Sequence, residues 1–307
     1  MSGVYRHTSV LLRELIDALA PQPAGHYLDG TGGGGGHDAA LLERLGPDGR
    51  LDILDRDPVA IAALAQRFAD CPNVFVHQGN FFAARDLLPS CTALDGVMLD
   101  LGVSSMQIDE ADRGFSLHKP GALDMRMGPE GPSAAELVNS LPAEELRDLF
   151  RRWSDEKYAW PIAKAIVRAR ARQEIRTTLQ LAETVAAAVP AAARRDGHPA
   201  RKVFTALRIQ VNGELEGLGQ ALEDLFDCLA PGGRLACISF SAMEDAVVKN
   251  AFRALTAGCI CPPEFPVCRC GRTPRGRFPQ KPLLPSPEEI AENPRSRSAK
   301  LRVIEKI

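Results

Sequence analysis

One stretch constrains this chain more than any other: Asp29-Gly30-Thr31-Gly32-Gly33-Gly34-Gly35-Gly36-His37. It lies between a short strand pattern, His26–Asp29, and a helical one, His37–Leu45. Glycines in such a turn let backbone approach a bound molecule closely, and a helix N-terminus beyond it favours negative groups. The flanking sequence repeats the unit. Arg50–Asp55 reads as a second strand ending on an acid, and Asp57-Pro58 supplies an N-cap with proline at the first helical position. Val74–His77 and Gly96–Leu101 continue the alternation. Strands alternating with helices predict an α/β fold, a mostly parallel sheet with helices on both faces.

Such a sheet binds ligands beyond the carboxyl ends of its strands, where Asp29, Asp55 and Asp100 all fall. An acid at the end of the second strand can accept hydrogen bonds from two ribose hydroxyls. Two cofactors fit the turn. A dinucleotide needs a cradle for its pyrophosphate. S-adenosylmethionine carries an ammonium and a sulfonium and is better suited by surrounding carboxylates. The phosphate loop G-x-x-x-x-G-K-[ST] is absent, which excludes that class of ATPase. Asp100 is followed by Gly102-Val103-Ser104-Ser105, placing a carboxylate and two hydroxyls at a central strand exit. A carboxylate there could accept the hydrogens of an exocyclic amine and align it for attack, or simply hold the cofactor.

The alternation stops after the fourth strand. From about 107 to 199 only loops and helices are legible, with capping boxes at Ser133–Glu136 and Thr177–Gln180. Helical periodicity runs over Ala143–Trp153, Ala159–Gln173 and Lys202–Leu229, the last stopping at Pro231-Gly232-Gly233. Leu235–Phe240 and Leu301–Ile304 read as further strands. The expected organisation is one α/β domain, 1–106 with 200–307, interrupted by a helical insertion over 107–199.

Charge divides along the same lines. The net charge of −2 over 307 residues argues at first against a nucleic-acid partner. By segment, however, residues 1–150 carry −11, 151–208 carry +8, 209–268 carry −5 and 269–307 carry +6. An acidic body thus bears two basic zones of the kind that bind phosphate backbones or form solvated faces. No run of about 20 uncharged apolar residues would span a membrane. The N-terminus lacks the apolar stretch of a signal peptide, so a cytoplasmic protein is expected.

At this density of motifs the chain resembles the bacterial ribosomal RNA small subunit methyltransferase H (MraW) family. The matching segments are His7–Leu11, Asp29–His37, Asp55–Pro58, Leu99–Ser105 with Gln107, Arg113–Ser116, Leu123–Met127, His198–Arg201, Ala206–Ile209 with Val211-Asn212, Pro231–Leu235 and Asn293–Ser298. The resemblance implies a class I S-adenosylmethionine-dependent methyltransferase with a Rossmann-like sheet and an inserted helical domain. It implies methylation of the exocyclic N4 of a decoding-centre cytidine in 16S rRNA of the small ribosomal subunit. It also implies cofactor contacts from Gly35, Gly36, His37, Asp55, Phe81, Asp100 and Gln107. Phe81 could pack on adenine, or be a core residue after the third strand. For the substrate pocket the candidates are Ser104, Asp124, Arg126, His198, Phe240 and Glu244, with Trp153 and Trp160 as further stacking residues or core aromatics. One departure stands out. Where the family reads Ile-Ser-Phe-His-Ser-Leu-Glu-Asp, this chain has Ile238-Ser239-Phe240-Ser241-Ala242-Met243-Glu244-Asp245.

Eight cysteines are too sparse for a disulfide scaffold. Four of them form Cys259-x-Cys261 and Cys268-x-Cys270, which could hold Zn²⁺ as four thiolates. The C-x-C spacing is tighter than the usual C-x2–4-C and the resemblance establishes no metal, so none is assigned and a reduced surface loop is expected. A nicotinamide-dependent oxidoreductase and a non-catalytic RNA-binding protein remain the competing readings. Whether the chain forms a homodimer is not legible.

Overall fold

The computed structural model describes residues 9–117, 119–191, 198–259, 261, 262, 267 and 269–307. His7, Thr8 and Cys268 of the motifs above lie outside the described residues, as do Arg194 and Arg195 of the first basic zone. Two compact units divide the chain: residues 1–102 with 215–307, and residues 103–214.

In chain order the first unit begins with α1 (Leu12–Leu19), β1 (His26–Asp29), α2 (Gly36–Leu42), β2 (Arg50–Asp55), α3 (Pro58–Arg67), β3 (Val74–Gln78), α4 (Ala84–Leu87) and β4 (Leu94–Asp100). The second unit is α5 (Ser105–Asp109), α6 (Ala134–Ser140), α7 (Ala143–Ser154), α8 (Ala159–Arg170), α9 (Thr178–Ala188) and α10 (Arg201–Asn212). The first unit then resumes with α11 (Leu218–Asp227), β5 (Leu229–Ser239), α12 (Ala242–Thr256), β6 (Gly276–Arg277), α13 (Pro287–Glu292) and β7 (Lys300–Lys306).

The seven strands form one sheet in the order β3-β2-β1-β4-β5-β7-β6. The first five are parallel, β7 runs antiparallel to β5, and β6 antiparallel to β7. Successive strands step outward from β1 in one direction to β3, and from β4 in the other. The crevice beyond the ends of β1 and β4 is therefore the topological switch point where such sheets hold ligands. Apolar runs make the strands, since a sheet covered on both faces buries alternate residues in both directions. Leu51, Ile53, Met98, Ile238 and Leu301 join Leu15, Ile16, Leu41 and Leu64 of α1–α3 in one core. Leu54, Val97, Leu99, Leu235 and Cys237 occupy other strand positions and are also fully buried. Each such aliphatic side chain contributes about 1.5–3 kcal/mol of burial energy.

The helical unit has its own core. Phe150, Ile162, Ile166, Leu181, Val185, Val203 and Leu207 are shielded from solvent. Here the boundaries differ from the sequence expectation, because α10 packs on α7 and α6. The apolar periodicity over Lys202–Leu229 is broken by Gly213 and Gly217, both at positive φ, into α10 and α11. Residues 200–214 thus belong with the insertion. Both expected capping boxes, at Ser133 and Thr177, are present. No helix among the described residues is long and apolar enough to cross a membrane.

Candidate active site

Three carboxylates sit where the sheet predicts a ligand, and the backbone explains their positions. Asp29 ends β1, Asp55 ends β2 and Asp100 ends β4. The glycine turn threads between them. Gly30 N–H donates to Met98 O (3.1 Å) and Gly32 N–H to Leu54 O (2.9 Å), so the turn is tied to both neighbouring strands. Gly33 and Gly35 take positive φ, which only glycine adopts at little cost. A side chain at Gly32 would collide with Ile53 and Leu64, whereas one at Gly34 would meet nothing within 4 Å. The turn is therefore packed on its inner side and open at Gly34.

Each acid has a distinct task. Asp55 accepts Gly33 N–H through Oδ2 (2.7 Å) and Asp57 N–H through Oδ1 (2.8 Å), so it shapes the turn. Burial raises its pKa despite those bonds. Asp29 Oδ1 accepts from Thr31 N–H (2.7 Å) and from Thr31 Oγ1 (3.1 Å). Thr31 Oγ1 in turn accepts Asp100 N–H (2.7 Å), linking the ends of β1 and β4. Burial pushes Asp29 up to about 6, and the still more deeply buried Asp38 beside it is raised further. Sequence reading gave no role to Thr31 or Asp38.

Asp100 differs from both. Its side chain is 32% exposed, yet Oδ1 is shielded and has no hydrogen-bond partner. Burial, with a smaller push from the charge of Glu244, raises its pKa to about 7. His37 Nδ1 lies 3.8 Å from Asp100 Oδ2. The His37 ring is buried, which lowers its pKa, and its Nε2 lies 3.0 Å from Val10 O. A neutral imidazole donating there anchors α2 to the segment before α1. Phe81 is half-buried in the 3₁₀ turn Phe81–Ala83 and packs against Gly30 at the end of β1. Gly36 begins α2 beside Ser9.

One residue expected at the substrate has structural work as well. Glu244 is buried and accepts the N–H groups of Phe240 and Ser241 through Oε2, both at 2.9 Å. Ser241 Oγ accepts Glu244 N–H (3.1 Å), completing a capping box at the start of α12. The serine that replaces the family histidine is thus the helix N-cap. Ser241→Ala is expected to lower stability by about 1 kcal/mol, read from the urea midpoint. Ser241→His removes the same cap and should destabilise comparably. Phe240 is half-buried near Gly102.

In the helical unit, Ser104 and Gln107 form a capping box at the start of α5. Ser104 Oγ accepts Gln107 N–H (3.2 Å), and Gln107 Oε1 accepts Ser104 N–H (3.0 Å). Arg126 makes a two-point ion pair with Asp124, Nε–Oδ1 2.9 Å and Nη2–Oδ2 2.7 Å. That pairing holds Asp124 below the usual carboxylate range despite the opposing effect of burial. The segment is clamped by Asn212, to which the sequence reading gave no role. Asn212 Oδ1 accepts Met127 N–H, and Nδ2 donates to Met125 O, each at 2.8 Å. Arg113 Nη2 donates to Arg126 O (3.0 Å). Met125 is held at φ +63°, an unusual conformation for a side chain of its size. His198 Nδ1 accepts Ala200 N–H (3.2 Å) ahead of α10. Trp153 is core, its Nε1 donating to Gln210 Oε1 (2.7 Å), and Trp160 has Arg147 and Lys164 over its ring.

The donor set discriminates between the two cofactors. Three acids around the turn bring no positive charge to a pyrophosphate. They suit a ligand with an ammonium, a sulfonium and ribose hydroxyls, and Oδ1 of Asp100 carries no hydrogen bond. The residues present therefore fit S-adenosylmethionine.

Comparison with known sequences agrees. The profile of the MraW methylase family matches residues 4–307. Curated relatives include the ribosomal RNA small subunit methyltransferase H of Heliobacterium modesticaldum, 46% identical over 99% of both chains. The enzymes of that name from Pelobacter propionicus and an Anaeromyxobacter species are 48% and 47% identical, each over 100% of both chains.

Proposed function

Because the chain belongs to the MraW methylase family, we infer that it transfers a methyl group from S-adenosylmethionine to the exocyclic N4 of a cytidine in 16S rRNA. The observation that carries the chemistry is the row of acids at the switch point, with Oδ1 of Asp100 unpartnered at the end of β4. When bound, the cofactor supplies a methyl group activated on sulfur. The exocyclic amine of cytidine is a poor nucleophile, because its lone pair is delocalised into the ring. What the protein must add is alignment and an acceptor for the amine hydrogens. Asp100, ionised above about pH 7, is that acceptor. Asp55 would hold the ribose hydroxyls, Phe81 would flank the base of the cofactor, and the turn from Gly33 to Gly36 would admit it closely.

The basic segments 151–208 and 269–307 supply phosphate contacts to the RNA. The base must leave its stack to react, and Phe240 at the exit of β5 is the aromatic proposed to receive it. On this reading the protein works in the cytoplasm, on the small ribosomal subunit.

The test is methyl transfer from labelled cofactor to small-subunit particles, followed by nucleoside analysis, with Asp100→Ala as control. Label recovered as N4-methylated cytidine supports the reading. Label in another nucleoside, or none on particles and naked 16S rRNA alike, overturns it. Titration calorimetry with S-adenosylmethionine and with NAD separates the oxidoreductase alternative, which predicts heat only with the nucleotide.

A further inference from the structure

The cysteine loop does not look like a chance collection of thiols. Between the end of α12 and the start of β6 the described residues form no helix or strand. Within that segment Cys259, Cys261 and Cys270 bring their sulfurs within 4.8 Å of one another. The Cys259 and Cys270 sulfurs are 3.7 Å apart. Thiolates at about 2.3 Å from a tetrahedral zinc lie about 3.8 Å from each other, so the Cys259–Cys270 pair already has the spacing of one coordination shell and the Cys261 sulfur lies within 4.8 Å of both. Two backbone donors point at the same sulfurs: Cys261 N–H to Cys259 Sγ and Arg269 N–H to Cys261 Sγ, both at 3.4 Å. Donors aimed at sulfur stabilise thiolate ligands. Burial does not explain the cluster, since Cys259 and Cys270 are exposed.

We propose that Cys259, Cys261 and Cys270 bind one zinc ion as a structural site. Soft thiolates select Zn²⁺ over the hard divalent cations. The fourth position falls to water. The ion would hold in place a loop that carries Arg269 and Arg272 of the second basic zone. Arg272 Nη2 already donates to Ala254 O at the end of α12 (2.6 Å).

Tag-free protein purified under reductant is expected to contain about one zinc per chain by mass spectrometry of the metal. Replacement by Co²⁺ should give thiolate-to-cobalt charge transfer and the visible bands of tetrahedral cobalt. Cys259→Ser, Cys261→Ser and Cys270→Ser should each lower zinc affinity by at least about tenfold. Cys71→Ser, outside the cluster, should retain the metal. Circular dichroism checks that each variant is folded, and limited proteolysis should cut the 257–275 segment faster once the ion is removed. Failure of reduced protein to take up zinc or cobalt overturns the proposal. So does full metal content in the three serine variants, or a metal-free protein with Cys259 and Cys270 joined as a disulfide.

Discussion

Asp100→Asn is expected to slow methyl transfer by about a hundred- to a thousandfold while leaving thermal unfolding unchanged or shifted slightly upward. The amide keeps the size of the carboxylate but cannot carry its charge, and it presents one acceptor where the acid has two. Folding should not suffer, because the native carboxylate is shielded at Oδ1, unpartnered there and repelled by Glu244. The pH dependence follows from the same geometry. Burial holds the carboxyl protonated up to about pH 7, above its ordinary range. Below that pH the acid is neutral, so both cofactor binding and activity decline, by at most tenfold per pH unit for one proton. Conversely, the raised pKa favours the cofactor-free fold at low pH, an effect lost as pH rises through about 7. The profile of kcat/KM for the cofactor reports the free protein and should bend near 7 in the parent and be flat in Asp100→Asn. An asparagine variant with the parent rate and the parent profile would remove Asp100 from the reaction.

The second large effect is on stability and lies in the helical unit. Asn212→Ala should cost about 2–4 kcal/mol, because it leaves Met127 N–H, Met125 O and Arg208 O without this partner in a buried setting. Met125 is held at positive φ by that clamp, so its strain would no longer be compensated. Asn212→Asp keeps the acceptor for Met127 N–H but loses both donations and buries a charge, and should cost at least as much. Urea unfolding measures both. A change within about 0.5 kcal/mol for either would mean the segment is held by other contacts.

What the sequence revealed was what is local. Strands β1 and β2 could be read to the residue because each ends on an acid just before a turn signal. The N-caps at Asp57, Ser133 and Thr177 could be read because a cap bonds within three residues of itself. Helix breaks were harder. Gly213 and Gly217 sit inside a long apolar periodicity, and nothing nearby announces that both need positive φ. Pro231-Gly232-Gly233 reads as a helix stop, yet β5 runs through it because Leu229 pairs with Leu94 ahead of a register shift. The polar connections of the site were the least legible. Thr31 reaches 69 positions ahead, and Asn212 reaches 85 and 87 positions back. Such bonds leave no periodicity. Ser241 and Glu244 show the converse: where the chain departs from the family motif, a capping pattern legible within four residues is present in the structure.

The interleaving of the two units has a consequence for how the protein is made. The helical unit is contiguous, so its residues are all available before β5 has been translated. The sheet is not. β7 lies between β5 and β6 yet comes later in the chain than every other strand, so β5 waits with one edge open until β7 emerges. An open interior edge is an invitation to pair with the wrong chain. The vulnerable interval in biosynthesis is therefore the passage from residue 239 to residue 300, and overproduction faster than that passage can be completed should yield aggregates whose helical unit is already folded.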